Sequence, residues 1–317
     1  MATVLITGGT GMIGKAITKA LLERNYNVIV LTRNVGKGTR YKAQGTNASS
    51  RLTYAEWNIE KQTIDADAIS KADYIIHLAG ANLGEKRWSK KRKKEIVSSR
   101  VDSGKLIVES LMKIPNRVRA VISASAIGWY GPDLPPTPFK GEGFEETTPA
   151  FNDFLGETCK QWEESIEPIA QLGKRLMKFR TGIVLSKEGG AFPRFVKPLK
   201  FGLATILGNG KQIISWIHID DLCRMYIKAL EDNAMQGAYN AVAPQPTSNK
   251  DFTLLLATKM RGKFYISMHV PSFALKIALG EMSIEVLKSA TVSCKKVKDD
   301  GFNFLYPTLN TAIEVLL

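Results

Sequence analysis

The opening of this chain limits its fold more than any other stretch. A short apolar run, Val4-Leu5-Ile6, leads without interruption into Thr7-Gly8-Gly9-Thr10-Gly11-Met12-Ile13-Gly14. An amphipathic segment with Ala16, Ile17, Ala20, Leu21 and Leu22 follows, and then a second apolar run, Val28-Ile29-Val30-Leu31. That order predicts a strand, a glycine turn, a helix and a second strand. Gly8 suits the tight turn, Gly11 lets backbone amides come close to a diphosphate, and Gly14 lets the helix pack tightly. The helix start supplies free N–H groups and the positive end of its dipole. Gly8, Thr10, Gly11, Met12, Ile13 and Gly14 are therefore the candidate diphosphate-binding residues.

About twenty residues beyond the glycines stand Thr32 and Arg33. An acid at this place would hold a ribose 2′-hydroxyl, whereas Arg33 offers a fork of donors to a 2′-phosphate, so NADP is the expected cofactor. Further strands are expected at Leu52 to Trp57, Tyr74 to Ala79, Ala120 to Ser123 and Met177 to Leu185, and another at Ile213 to Ile217. Helices are expected at about Ser89 to Met112, Asn152 to Ala170 and from Asp220 to Leu230. Segments 36 to 50 and 131 to 149 read as loops, the second a substrate-side lid rich in proline. The section holding Phe192, Phe195 and Phe201 reads as irregular. From Pro244 the texture changes, with helices at Ser248 to Met260 and Ser272 to Leu279 around a strand near Phe264 to Val270. Alternating strands and helices predict an α/β fold, a doubly wound parallel sheet. The expected division is a cofactor domain over 1–243 and a smaller C-terminal domain over 244–317.

In a doubly wound sheet the C-terminal strand ends line the ligand crevice, which places Leu78 and Ala79 beside the cofactor and brings Ser125 and Tyr130 to the same rim. His77 lies inside its apolar run and reads as a core histidine. The three cysteines, Cys159, Cys223 and Cys294, are far apart and suggest neither disulfides nor a metal site. No apolar run approaches the 18 residues of a membrane span, and the chain starts at once with strand and loop; a cytoplasmic protein is expected. The formal net charge is +14. Much of it sits in Lys86, Arg87, Lys90, Lys91, Arg92, Lys93 and Lys94 around Trp88, read as a solvated helix face, with nucleic-acid binding the less favoured alternative.

Taken in order, TGGTGMIG at 7–14, HLAG at 77–80, SASAIGWYG at 123–131, RTGIVLS at 180–186 and SWIHIDD at 215–221 resemble the extended short-chain dehydrogenase/reductases. Residues 79–100, 208–221 and the tail with Gly280-Glu281-Met282 and Gly301-Phe302 resemble an atypical branch of them, the YfcH-like (SulA-like) NAD-dependent epimerase/dehydratase family. The resemblance covers nearly the whole chain. It implies a Rossmann-like cofactor domain followed by a small C-terminal domain of undefined role, expected on the substrate side, and NADP as ligand. It also implies that Thr32, Arg33, Leu78, Ala79, Glu95, Arg100 and Ile183 touch or flank the nucleotide.

One departure bears on chemistry. The superfamily uses a tyrosine as acid/base with a lysine four residues later. The matching pattern here runs from Leu155 to Glu163, with Leu155 in the tyrosine position and Cys159 in the lysine position. None of the nine tyrosines has a lysine four residues ahead. Ser125 remains as the candidate catalytic residue, a hydroxyl for a substrate oxygen; Tyr130, Cys159 and His218 read first as structural, with a proton donor of another geometry among them the less favoured alternative. The expected function is an NADP(H)-binding, epimerase- or oxidoreductase-like protein acting on a small polar or nucleotide-linked substrate. The alternative is a catalytically silent protein that senses NADP(H) and signals to a protein partner.

Overall fold

A computed structural model describes residues 1–34, 36, 50–133 and 143–317. Most of the loop expected at 36–50 and the middle of the proline-rich lid lie outside these residues. The first strand, β1 (Thr3–Thr7), is buried at every position. It pairs in parallel with β2 (Asn27–Thr32) on one side and β5 (Tyr74–His77) on the other, so the sheet changes winding direction at β1. Beyond β2 come β3 (Leu52–Asn58) and a short antiparallel arm, β4 (Thr63–Ile64). Beyond β5 come β6 (Ala120–Ala126), β7 (Arg175–Thr181) and, after several intervening strands, β13 (Gly237–Ala241). The doubly wound parallel sheet read from the sequence is present.

Alternation along each strand feeds two cores. Val4, Ile6, Val28, Val30, Ile76 and Ile122 face α1 (Met12–Glu23) and the helix Ile219–Glu231. Leu5, Ile29, Leu31, Ile75 and Val121 face the other way, toward the helices Ala66–Lys71 and Lys90–Lys113. Burial on both faces is why these strands read as continuous apolar runs.

The single strand expected at 177–185 is two. At Gly182 the chain leaves the main sheet, and β8 (Ile183–Ser186) pairs instead with β12 (Trp216–His218) and with a hairpin arm, β9 (Gly189–Gly190). A Cβ at position 182 would lie 2.6 Å from the Ser215 carbonyl oxygen, so only glycine lets the chain change sheets there. Likewise the helix expected at 152–170 is Phe154–Ile166 followed by a short turn of helix, Pro168–Gln171. The proline cannot donate to the preceding turn.

The segment read as irregular contains a helix, Phe192–Leu199, and β10 (Leu203–Leu207). The strand expected at 213–217 is divided between β11 (Ile213–Ile214) and β12. A third core gathers Phe192, Leu199, Trp216 and Ala243 with Phe252 and Leu256 of the helix Asn249–Arg261 and Ile313 of the last helix, Leu309–Leu316. It draws on residues from both sides of position 243. β14 (Thr247–Ser248) pairs with β11, and β15 (Ile266–Val270) pairs in parallel with β10.

Candidate nucleotide-binding site

The crevice lies at the carboxyl ends of β1 and β5, where the winding reverses. Gly8 has φ +68°, and a Cβ there would stand 2.8 Å from the Leu78 carbonyl, so this turn requires glycine. A Cβ on Gly14 would meet the Gly8 oxygen at 2.4 Å and the Gly9 Cα at 2.5 Å: the helix packs against the glycine loop itself. Gly11 differs. Within 4 Å its Cβ would meet only the Gly8 oxygen, at 3.3 Å, which leaves open space for a ligand to approach the backbone.

Capping supports the same reading. Asp65, Ser89, Asp153, His218, Ser248 and Thr308 each accept a backbone N–H at the start of the helix that follows. Gly11, at the start of α1, offers no side chain, and the first turn of α1 has no acid. The amides of that first turn are left without a side-chain acceptor, as anion binding requires. Met12 packs toward the β8–β9 turn, with its sulfur 3.5 Å from where a Cβ on Gly189 would be. Thr10 and Ile13 complete the loop, exposed and half-buried respectively.

Thr7 and His77 fix the crevice floor. The Thr7 hydroxyl accepts from the amides of Leu78 (3.1 Å) and Ala79 (3.2 Å), and its hydrogen therefore goes to His77 Nδ1, 2.8 Å away. His77 Nε2 then carries the proton and donates to Ser103 Oγ at 3.3 Å. Complete burial pushes the His77 pKa down to about 3, aided by the Arg100 charge, so the ring is a neutral strut and no base.

Thr32 closes a turn with Asn34 at the end of β2. Arg33 beside it is exposed and has no carboxylate within 4 Å among the described residues. Arg100 donates to the carbonyls of Ile96 (2.9 Å) and Ala81 (3.2 Å) and lies 5.0 Å from the Trp162 ring. It also lacks a carboxylate partner among the described residues, and burial lowers its pKa to about 10. The Glu95 carboxylate pairs with Arg92 at 2.8 Å, which holds it below the usual range. Ile183, half-buried, begins β8 opposite Trp216.

The basic segment is only partly the solvated face expected. Arg92 is buried and reaches back to the Asn82 carbonyl and to Glu85. Arg100 holds the Ala81 carbonyl, Trp88 Nε1 the Leu83 carbonyl at 3.0 Å, and Arg194 the Gly84 carbonyl at 2.6 Å. Four consecutive carbonyls of the loop after β5 are thus held by side chains from elsewhere.

Ser125 and Tyr130 are not on an open rim. The Ser125 hydroxyl donates to Glu163 Oε1 at 2.7 Å. Arg180 grips the same carboxylate through Nε (2.8 Å) and Nη2 (3.1 Å), and its plane stacks 3.6 Å from the Trp129 ring centre. Arg180 Nη1 donates to Tyr130 Oη, which in turn donates to Asn240 at 2.7 Å. The sequence reading missed Arg180 and Asn240, although Glu163 stood at the end of the aligned pattern. Leu155 and Cys159 pack under the turn at 127–129, and burial pushes the Cys159 thiol and the Tyr130 hydroxyl each up to about 12. His218 caps its helix by accepting from the Asp220 amide, as an anchor should.

A parallel sheet with a glycine turn at its reversal point and an uncapped first helix defines a dinucleotide-binding protein of the extended short-chain dehydrogenase/reductase class. Residues 4–155 match the model of the NAD dependent epimerase/dehydratase family, and residues 270–316 a domain of unknown function, DUF1731. The chain is 35% identical to the epimerase family protein SSP1921 of Staphylococcus saprophyticus over the full length of both. A solved structure of the human epimerase family protein SDR39U1 with NADPH matches at TM-score 0.82 and 26% identity, over 99% of this chain and 98% of that one. UDP-glucuronic acid 4-epimerase from Bacillus cereus, solved with UDP-glucuronic acid and NAD, shares the fold at TM-score 0.77 and 19% identity, over 99% and 97%. The chain belongs to the NAD-dependent epimerase/dehydratase family, in the atypical branch that includes SDR39U1 and carries DUF1731.

Proposed function

We propose that this protein binds NADP(H) in the crevice above β1 and β5 and acts, as an epimerase- or oxidoreductase-like protein, on a small polar or nucleotide-linked substrate. The observation that carries the reading is the glycine loop, where Gly8 and Gly14 are locked by contact while Gly11 faces open space at an uncapped helix start. The amides of Gly11, Met12 and Ile13 would hold the diphosphate, and Arg33, without an acidic partner among the described residues, would take a 2′-phosphate. Arg100 is a second cation that an anionic ligand would neutralise. A pyridine nucleotide supplies hydride chemistry when bound.

Proton transfer is where this chain departs from the superfamily. Leu155 cannot titrate, Cys159 is a buried neutral thiol and the Ser125 hydrogen is committed to Glu163. A substrate hydroxyl would have to enter this buried network to reach the Ser125 oxygen. The same burial favours a second reading, a sensor of NADP(H) that performs no turnover and signals to a protein partner.

Calorimetric titration with NADPH, NADP⁺ and NADH tests the first step. Arg33→Asp is expected to weaken NADP(H) binding about tenfold or more, the loss of a charge-assisted contact, and to leave NAD(H) binding nearly unchanged. No heat with any of the three refutes the reading. Hydride exchange with a panel of carbonyl compounds and nucleotide sugars separates the two versions. Turnover that Ser125→Ala reduces supports the enzyme, and tight binding without exchange supports the sensor.

A further inference from the structure

Two turns side by side carry the most exposed phenylalanines among the described residues. β10 and β15 run parallel with Leu203 opposite Ile266, so the turns that lead into them, Lys200-Phe201-Gly202 and Arg261-Gly262-Lys263-Phe264, lie at the same end of the sheet. The Ile266 amide donates to the Gly202 carbonyl at 2.8 Å and ties the two together. Each turn is tight. The Phe201 amide donates to Pro198 at 3.0 Å and the Phe264 amide to Arg261 at 3.1 Å, and Gly202 and Gly262 have φ +75° and +62°. Phe201 is 77% exposed and Phe264 85%. Leu203 and Ile266 continue the apolar surface, on the face of the sheet opposite Ala204, which packs into the third core. Bare apolar side chains gathered in this way mark a contact surface.

The charges around the two phenylalanines select what covers them. Lys259, on the helix before the second turn, pairs with Glu314. Lys197, Lys200, Arg261 and Lys263 are exposed, and none of them has a carboxylate within 4 Å among the described residues. The Arg261 guanidinium comes within 3.7 Å of where a Cβ on Gly202 would be, so its charge sits between the two turns. The two stretches that build this sheet, 189–219 and 252–280, hold eight lysines and arginines and no aspartate or glutamate. A second copy docking through the same tip would set cation against cation with no acid to separate them. An anionic lipid surface instead meets both features at once: its phosphates lie at the level of the cations, and the acyl boundary just beneath takes the phenyl rings.

We infer that this tip docks on an anionic lipid surface, with Phe201 and Phe264 entering the boundary between headgroups and acyl chains and Lys200, Arg261 and Lys263 resting on lipid phosphates. The contact is superficial, since no helix among the described residues is long and apolar enough to cross a membrane. It is also prepared in advance. The hydrogen bond between the turns and the buried inner face of β10 hold both phenylalanines out before any lipid is met, so little chain ordering is spent on docking.

Cosedimentation of the full chain with vesicles tests the inference. The chain is expected to bind vesicles of phosphatidylcholine and phosphatidylglycerol in equal parts, to leave those of phosphatidylcholine alone unbound, and to bind less as salt is raised. Replacing Lys200, Arg261 and Lys263 by glutamine should weaken binding about fivefold per charge, roughly a hundredfold together. Phe201→Ser combined with Phe264→Ser, which keeps every charge, should weaken it about tenfold or more. In Phe264→Trp the added indole should be quenched by brominated lipid. No binding to the mixed vesicles, an unquenched indole, or binding that the paired serine variant leaves unchanged would each overturn the inference. The last would mean that a chain of net charge +14 adheres by charge alone. A lipid-free wild-type dimer that the serine variant dissociates would overturn it too, with a second copy as the occupant. These results are independent of nucleotide binding.

Discussion

Replacing Glu163 by alanine tests the buried network directly. In the native protein its carboxylate accepts from Ser125 Oγ at 2.7 Å and from two nitrogens of Arg180 at 2.8 and 3.1 Å, with both side chains buried. Alanine leaves the guanidinium without its anion, since Arg180 Nη1 is already engaged with Tyr130 Oη and the Glu146 carbonyl. Breaking a buried ion pair from one side costs about 3–5 kcal/mol. That is a large share of the ~5–15 kcal/mol that separates a folded domain from its unfolded state. With a urea slope near ~3 kcal/mol per molar for a chain of this size, the unfolding midpoint should fall by about 1 M or more. The double variant Glu163→Leu with Arg180→Met removes both charges and keeps a flexible apolar chain against Trp129. It should be less destabilised than Glu163→Ala alone, because no orphan charge remains. Chemical unfolding followed by tryptophan fluorescence measures all of these. A loss below about 1 kcal/mol for Glu163→Ala, or a double variant as unstable as the sum of its two singles, refutes the argument.

Other consequences follow from the site. His77 is neutral in the fold, its pKa pushed down to about 3 by burial from an ordinary value of 6.5. Between those values only the unfolded chain binds the proton. Its contribution is therefore complete above about pH 6.5 and is lost as the pH falls toward 3, at up to about 1.4 kcal/mol per pH unit. His77→Asn should flatten the wild-type slope of stability against pH by about one proton over that window, and an unchanged slope would refute the assignment. Arg100→Met should weaken nucleotide binding by roughly ten- to a hundredfold, the worth of a hydrogen bond to a charged group, and make the remaining affinity less sensitive to salt. Affinity and salt dependence both like wild type would remove Arg100 from the site. Gly14→Ala should abolish measurable nucleotide binding in calorimetry, because a Cβ 2.4 Å from the Gly8 oxygen forces the loop and helix apart. Undiminished binding would show that the cradle lies elsewhere.

The parts of this fold that were legible in the sequence are those where local pattern and tertiary role agree. The glycine turn between β1 and α1, the apolar runs of β1, β2 and β5, and the burial of the histidine inside β5 follow from local pattern, and the structure has each of them. The change of sheet at Gly182 was not legible, because an apolar run of that length reads as one strand. The reason for its break is the Ser215 carbonyl, distant in sequence. β13 was missed for a similar cause: Gly237-Ala-Tyr-Asn-Ala241 has weak strand chemistry, and pairing with β7 supplies the rest. At the site, Ser125 was singled out as lying just past a strand, whereas the structure puts it inside β6, and Arg180 and Asn240 of the same buried network lie 55 and 115 positions away in sequence. No spacing rule links them.

The four anchored carbonyls from Ala81 to Gly84 bear on how a ligand would be received. Three guanidinium groups and an indole hold that loop in shape before anything binds, so an arriving molecule meets a rigid wall and need not organise one. Association at this edge of the crevice should then be quick and lock-and-key in character, with the freedom surrendered on complex formation coming mainly from the ligand.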